Sequence, residues 1–226
     1  RFPASKPAGQ GDLKHHLLAK GYSELKKVWH QLKGQHKLRR FLSAFFCYNM
    51  GVQTVFLVAT IYGKSELEIP TTNLIAAILI IQLIAIPGAY TISWVSSKLG
   101  NIRTLMLLVA MWSVGCIVGY NLPVGGVNEF YGLAVIIGFI MGGIQSLSRS
   151  TYSKLMPATS DTASYFSFYD VTEKIATVIG MFGFGYITEL TGSQRNSVLA
   201  LMVFFVIGFF LLIYTDRMKS ESHATV

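Results

Sequence analysis

Long apolar runs alternate with short polar stretches from Phe41 to Tyr214. A membrane-spanning helix needs about 20 mostly apolar residues. Six stretches meet or approach that length, at about 41–61, 72–94, 104–120, 130–147, 163–187 and 198–214. Ahead of them, Leu25, Val28, Trp29 and Leu32 recur at three- and four-residue spacing, while Lys26, Lys27, Gln31 and Lys33 take the other side. That period predicts an amphipathic helix between about Leu13 and Leu38, interrupted at Gly21 and Gly34. Two placements fit it: flat on the membrane surface with lysines toward lipid phosphates, or packed on other protein. Residues 1–12, rich in Pro, Gly and Lys, read as irregular.

The connections between spans sort by charge. Residues 96–103 and 148–154 carry basic residues and no acid, whereas Gly63–Pro70 holds Glu66 and Glu68, and Asn121–Gly126 holds no basic residue. Ten Lys/Arg and two acids fall in residues 1–40, so that segment accounts for the whole formal net charge of +8. Short basic flanks stay on the cytoplasmic side. The expected plan is therefore a basic cytoplasmic segment (1–38), a six-helix transmembrane domain (39–215) and a cytoplasmic tail (216–226), with both termini inside. The fold class is all-α and polytopic.

Composition agrees: 52% hydrophobic and 13% charged, where a soluble domain carries about 25% charged residues. The bilayer is the first partner. A nucleic-acid role for the basic segment is set aside, because it abuts a span and serves as a cytoplasmic flank. Cys47 and Cys116 lie inside spans and read as small apolar fillers. The chain opens on Arg1-Phe2-Pro3 without an initiator Met or signal peptide, so we expect a processed product or the later portion of something longer. No zinc-protease His-Glu pattern, P-loop, dinucleotide glycine fingerprint or nucleophile elbow is present. Neither an enzyme nor a bound cofactor or metal is expected, and ATP-driven transport by this chain alone is unsupported.

Polar chemistry concentrates in a few places. Asn49 and Gln53, four residues apart in the first span, share a face with Tyr48 nearby; they either line a path or hydrogen-bond between helices. Ala134, Gly138, Gly142, Ser146 and Ser150 form a small-residue ladder, a packing signal that extends to Gly180 in the fifth span. Tyr165, Tyr169, Asp170, Glu173 and Lys174 begin that span, and Asp170 and Lys174 stand at salt-bridge spacing. Arg149 is a further partner for these acids. The alternative is that the charges simply sit at headgroup depth. Asp161 reads as a helix-start residue, and Gln82 as packing.

These residues bring out a resemblance. Arg40-Phe41-Leu42 leading to Tyr48-Asn49-x-Gly51-Val52-Gln53-Thr54, then Gly142-Gly143-x-Gln145-x-x-Ser148-Arg149-Ser150, then Phe166-Ser167-Phe168-Tyr169 with Lys174 and Gly180, are similar to the C-terminal six-helix half of a major facilitator superfamily transporter. Within it the chain resembles the autophagy-linked vacuolar amino-acid effluxers and their bacterial relatives, over about residues 20–214. The superfamily's loop signature is degenerate here: Ser93, Ser97, Lys98, Gly100 and Arg103 stand at its positions, with Ser97 for the usual acid and Asn101 for a basic residue. Met181 replaces a family proline.

The resemblance implies secondary transport of a small solute, with amino acids as the family's cargo, by rocking of two six-helix halves around a central site. The missing half would be an upstream portion or a second copy. Tyr48, Asn49, Gln53, Tyr165 and Tyr169 would line the path. Lys98, Arg103, Arg149, Asp170, Glu173 and Lys174 would form a gating network. The cell membrane is expected rather than the vacuolar one. A non-transporting scaffold or regulatory subunit is the alternative.

Overall fold

Seven helices carry the described residues, 23–159 and 161–217, in a computed structural model of the chain. A short helix, α1, covers 23–32. Six long ones follow: α2 (His36–Ser65), α3 (Thr71–Leu99), α4 (Asn101–Tyr120), α5 (Val127–Leu155), α6 (Thr162–Thr191) and α7 (Gln194–Asp216). The irregular segment 1–12, the predicted helix before residue 23 and the tail beyond 217 lie outside the described residues.

Five of the long helices are long and apolar enough to cross a membrane by length and composition. α6 is not among them, because Asp170, Glu173 and Lys174 cut into its first half and Glu189 into its end. It still takes the sixth place in the bundle, with 30 residues packed along α2 and α7.

Successive helices alternate in direction, so that α3 and α5, and likewise α2 and α6, run parallel where they pack. α3 lies chiefly on α5, α2 on α7 and α6, and α4 on α7 and α5. At one end Arg103 of α4 pairs with Asp216 of α7 at 3.3 Å, and Asn101 donates to Thr151 of α5 at 3.2 Å. At the other, Glu66 after α2 accepts from the Gln194 amide at 2.5 Å and from the Ser193 hydroxyl, and Arg195 donates to the Tyr120 carbonyl at 3.1 Å. Glu66 thereby satisfies the otherwise orphaned amide at the start of α7.

The helices outrun their apolar cores, which corrects two predicted loops. Ser148–Lys154 is not a connection but the last turns of α5, since the chain has no Gly or Pro between Ile144 and Met156 and stops only before Pro157. The 96–103 loop shrinks to Gly100, whose φ of 88° allows α3 to hand over directly to α4. Pro87 is accommodated inside a continuous α3, with the Thr91 hydroxyl donating to the Pro87 carbonyl at 2.8 Å.

α1 settles on protein. Val28 and Leu32 are buried in the common core, Trp29 lies 6.2 Å from Phe168, and the Tyr165 hydroxyl donates to the Gln31 amide oxygen at 3.0 Å. Asp161 caps α6, accepting from the Ser164 amide, and lies 3.6 Å from Lys27 of α1. Hydrogen bonding from Ser164, its hydroxyl ahead of its amide, together with Lys27, holds the Asp161 carboxyl below its usual range. A lowered folded-state pKa contributes stability that is complete above the unfolded value and is lost as pH falls through the folded one. Docking of α1 should therefore persist through mildly acidic pH and loosen only below about pH 4. Hydrogen exchange across residues 23–32 checks this, with Asp161→Asn expected to flatten the pH response.

Candidate functional site

α2, α5 and α6 wall a markedly polar cavity in the bundle, about 360 Å³ in volume. Helical spacing puts Phe45, Tyr48, Asn49 and Val52 on its α2 wall. Ile144, Gln145, Ser146, Ser148 and Arg149 come from α5, and Tyr169 and Glu173 from α6. Because α5 stays helical past Ser148, Arg149 projects at the cavity and not into a loop.

Most of its polar groups are tethered from behind. Ser148 donates to the Ile144 carbonyl at 2.6 Å, which leaves Tyr48 as donor in its 2.7 Å contact with Ser148. The Gln53 amide donates to one Glu173 carboxylate oxygen at 2.9 Å, and Asn49 reaches the Glu173 carbonyl at 3.5 Å. Arg149 pairs with Asp170 at 3.0 Å and lies 5.5 Å from the centre of the Tyr169 ring. Tyr169 is itself stacked on Phe45 at 4.3 Å. Both members of the Arg149–Asp170 pair are more than half exposed, so the pair is worth little as stability and is easily exchanged.

Tyr48, Asn49, Tyr169, Glu173 and Arg149 are thus brought together, and Gln53 supports them by fixing Glu173. Tyr165 is not on the cavity wall. It is 2% exposed, its hydroxyl goes to α1, and its carbonyl accepts from the Tyr152 hydroxyl at 2.8 Å. The i,i+4 bridge predicted between Asp170 and Lys174 is replaced: Asp170 turns to Arg149, and Lys174 stands 3.9 Å from Glu173. Lys98 and Arg103 belong to the far side of the same end. Lys98 lies 3.7 Å over the Trp94 ring, and Arg103 bonds to Asp216. Asn101, in the degenerate loop, organises that corner by accepting from Lys154 and Ser96.

The small-residue ladder divides. Gly138 and Gly142 rest on the α3 backbone at Ile81 and Ala85, and Gly180 on α2 at Met50 and Thr54, all too close for a Cβ. Ser146 is exposed into the cavity and bonds back to the Gly142 carbonyl at 2.9 Å, so it lines and does not pack. Gln145, Ser146, Ser148 and Phe45 are cavity residues that sequence reasoning missed. The signal for the first three was the Gly-Gly-x-Gln-Ser-x-Ser-Arg run itself, read along a helix instead of into a loop.

Comparison with known proteins gives three findings. Residues 4–225 match the family described as vacuole effluxer Atg22 like. The chain is 27% identical over 205 residues to the uncharacterized MFS-type transporter YxiO of Bacillus subtilis (strain 168), covering 91% of this chain and 47% of the relative. It is 28% identical over 211 residues to autophagy-related protein 22 of Yarrowia lipolytica, covering 89% and 36%. Its fold is shared with a bacterial homologue of the iron transporter ferroportin in an outward-facing state. That match has a TM-score of 0.65 and 14% identity, and covers 83% of this chain and 47% of that one. The chain spans about half or less of the length of the curated relatives it matches. The family description, the Bacillus relative and the solved structure all name transport proteins.

Proposed function

Since the chain belongs to the vacuole effluxer Atg22-like family of integral membrane proteins, we propose that it forms the C-terminal half of a secondary transporter that moves amino acids by alternating access. The observation that carries this reading is the charge layout of the cavity. One wall contributes Glu173 and another Arg149, and Asn49, Gln145 and Ser146 line the same space. A zwitterion needs an acceptor for its ammonium and a fork of donors for its carboxylate. A merely structural ion pair needs no empty 360 Å³ beside it.

Arg149 then has two partners, Asp170 when the site is empty and the solute carboxylate when it is filled. Exchange of that kind biases a rocking equilibrium. The second half comes from an upstream part of the same polypeptide or from a second copy. It would cover the exposed apolar face of α3, where Leu83, Ile86 and Tyr90 lie bare. The basic end of the bundle is taken as cytoplasmic, and the membrane as the cell membrane, by analogy with the bacterial relative.

Reconstitution of the native polypeptide in liposomes tests this. Saturable flux of labelled amino acids, absent from empty vesicles, is expected. Asp170→Asn should change its rate without affecting insertion. Wild-type rates in that variant would remove the Arg149–Asp170 latch, and absence of any saturable flux would remove transport.

A further inference from the structure

On the other flank of α6 from the polar cavity runs a second space, outside the proposed path. α1, α2 and α6 wall a groove of about 570 Å³, with Trp29, Leu32, Leu42, Phe46, Phe168 and Ile175 as its principal sides. From Arg39 to Cys47 it follows α2 for two turns, about 12 Å. Its walls are apolar, and its one charged lining residue is Arg39, at the end next to the basic segment.

Among the described residues Arg39 makes no ion pair, whereas Arg103, Arg149 and Arg195 each lie within 4 Å of an acid. Nor does it rest on a ring, as Arg40 does at 4.0 Å over Tyr214. The surroundings reinforce its charge. Residues 23–40 hold six Lys/Arg and the single acid Glu24, which is 3.8 Å from Lys27. Trp29, 57% exposed, stands at the mouth.

We propose that this groove binds an anionic phospholipid, with an acyl chain along α2 and α6, the phosphate on Arg39, and Trp29 at the interface. Arg39 and Arg40 together precede the apolar part of α2, which is the depth at which headgroups lie. A free guanidinium beside a closed apolar wall is complementary to an amphiphile with a negative head. Because α1 supplies one wall, the lipid joins the basic segment to α6, the helix that carries Glu173 and Asp170. The inference does not depend on what the polar cavity carries.

Trp29 reports the occupant directly. The native polypeptide is placed in phosphatidylcholine vesicles, and the fluorescence lost on Trp29→Phe defines the Trp29 signal. Quenching of that signal is then compared for dibromo-phosphatidylglycerol and dibromo-phosphatidylcholine. Half-quenching is expected at an about fivefold lower fraction of the anionic lipid, the worth of one arginine contact with it. Arg39→Gln should bring that ratio to one, while Lys64→Gln, at the opposite end of α2, leaves it unchanged. Thr172→Phe, which fills the groove without altering charge, should weaken quenching by both lipids and decides the matter if Arg39→Gln does not fold. A wild-type ratio of one, or a ratio that survives Arg39→Gln, overturns the proposal. Absence of Trp29 quenching by either lipid also overturns it, and would mean that protein, the other half or a second copy, covers the groove.

Discussion

Glu173→Gln is expected to lower saturable amino-acid flux about ten- to a hundredfold while leaving expression, insertion and unfolding temperature unchanged. The substitution removes charge and almost nothing else. Gln53 donates to a Glu173 oxygen at 2.9 Å, and a glutamine at 173 offers the same acceptor in the same place. What is lost is the charge-assisted bond to the solute's ammonium group, worth about 1.5–3 kcal/mol, and each factor of ten corresponds to about 1.4 kcal/mol. The loss should fall mainly on the apparent affinity for solute. Flux measured against solute concentration in liposomes checks it. Undiminished affinity would mean that Glu173 serves only to hold α6 against α2, and would withdraw the zwitterion reading. Flux of a carboxylate-free amine, if saturable, should fall as steeply as that of the amino acid, since both depend on the same oxygen.

The second large effect is on assembly. Gly142→Val should prevent recovery of a monodisperse protein from detergent, and Gly142→Ala should lower its stability by about 1–3 kcal/mol. A Cβ at Gly142 would meet the Ala85 carbonyl and Cα, and one at Gly138 would meet those of Ile81. The obstacle is α3 backbone on both occasions, so no side-chain rotation relieves it. The approach is reciprocal, because Gly88 of α3 sits against the Phe139 backbone of α5. In lipid such contact supplies the association that the hydrophobic effect supplies in water. Gly132 makes the control: nothing lies within 4 Å of its would-be Cβ, so Gly132→Ala should be neutral or slightly stabilising. Thermal unfolding of the two alanine variants beside the unsubstituted protein in one detergent separates the contact from loss of helix flexibility. Equal behaviour of Gly142→Ala and Gly132→Ala would show that the two helices can separate at little cost.

The two effects meet in α5. Its first half is fixed by glycines on α3, and its second half carries Gln145, Ser146, Ser148 and Arg149 into the cavity. A displaced α5 would move Arg149 away from Asp170 as well, so the gating pair depends on the packing of residues two to three turns earlier.

The sequence alone determined the membrane character, the helical repeat and the sidedness of charge. These are one-dimensional properties: bilayer thickness sets a run length, and loop charge is read by counting. It also marked Asp161 as the start of α6 and Gly142 and Gly180 as contact points, since capping and close approach leave traces in residue type. It misjudged the ends of helices. Ser148–Lys154 is polar, and polarity suggests irregularity, although a helix that leaves the hydrocarbon can stay helical in water. Which polar residues share a site was decided only by the tertiary structure. Gln53 and Glu173 are 120 positions apart and Tyr48 and Ser148 are 100 apart. Local spacing favoured Asp170 with Lys174 and placed Tyr165 beside Tyr169. The crossing of α2, α5 and α6 instead gave Asp170 to Arg149 and turned Tyr165 toward α1. Partner choice among long side chains follows from the angle and depth at which helices meet, and that is fixed by backbone packing that no single helix encodes.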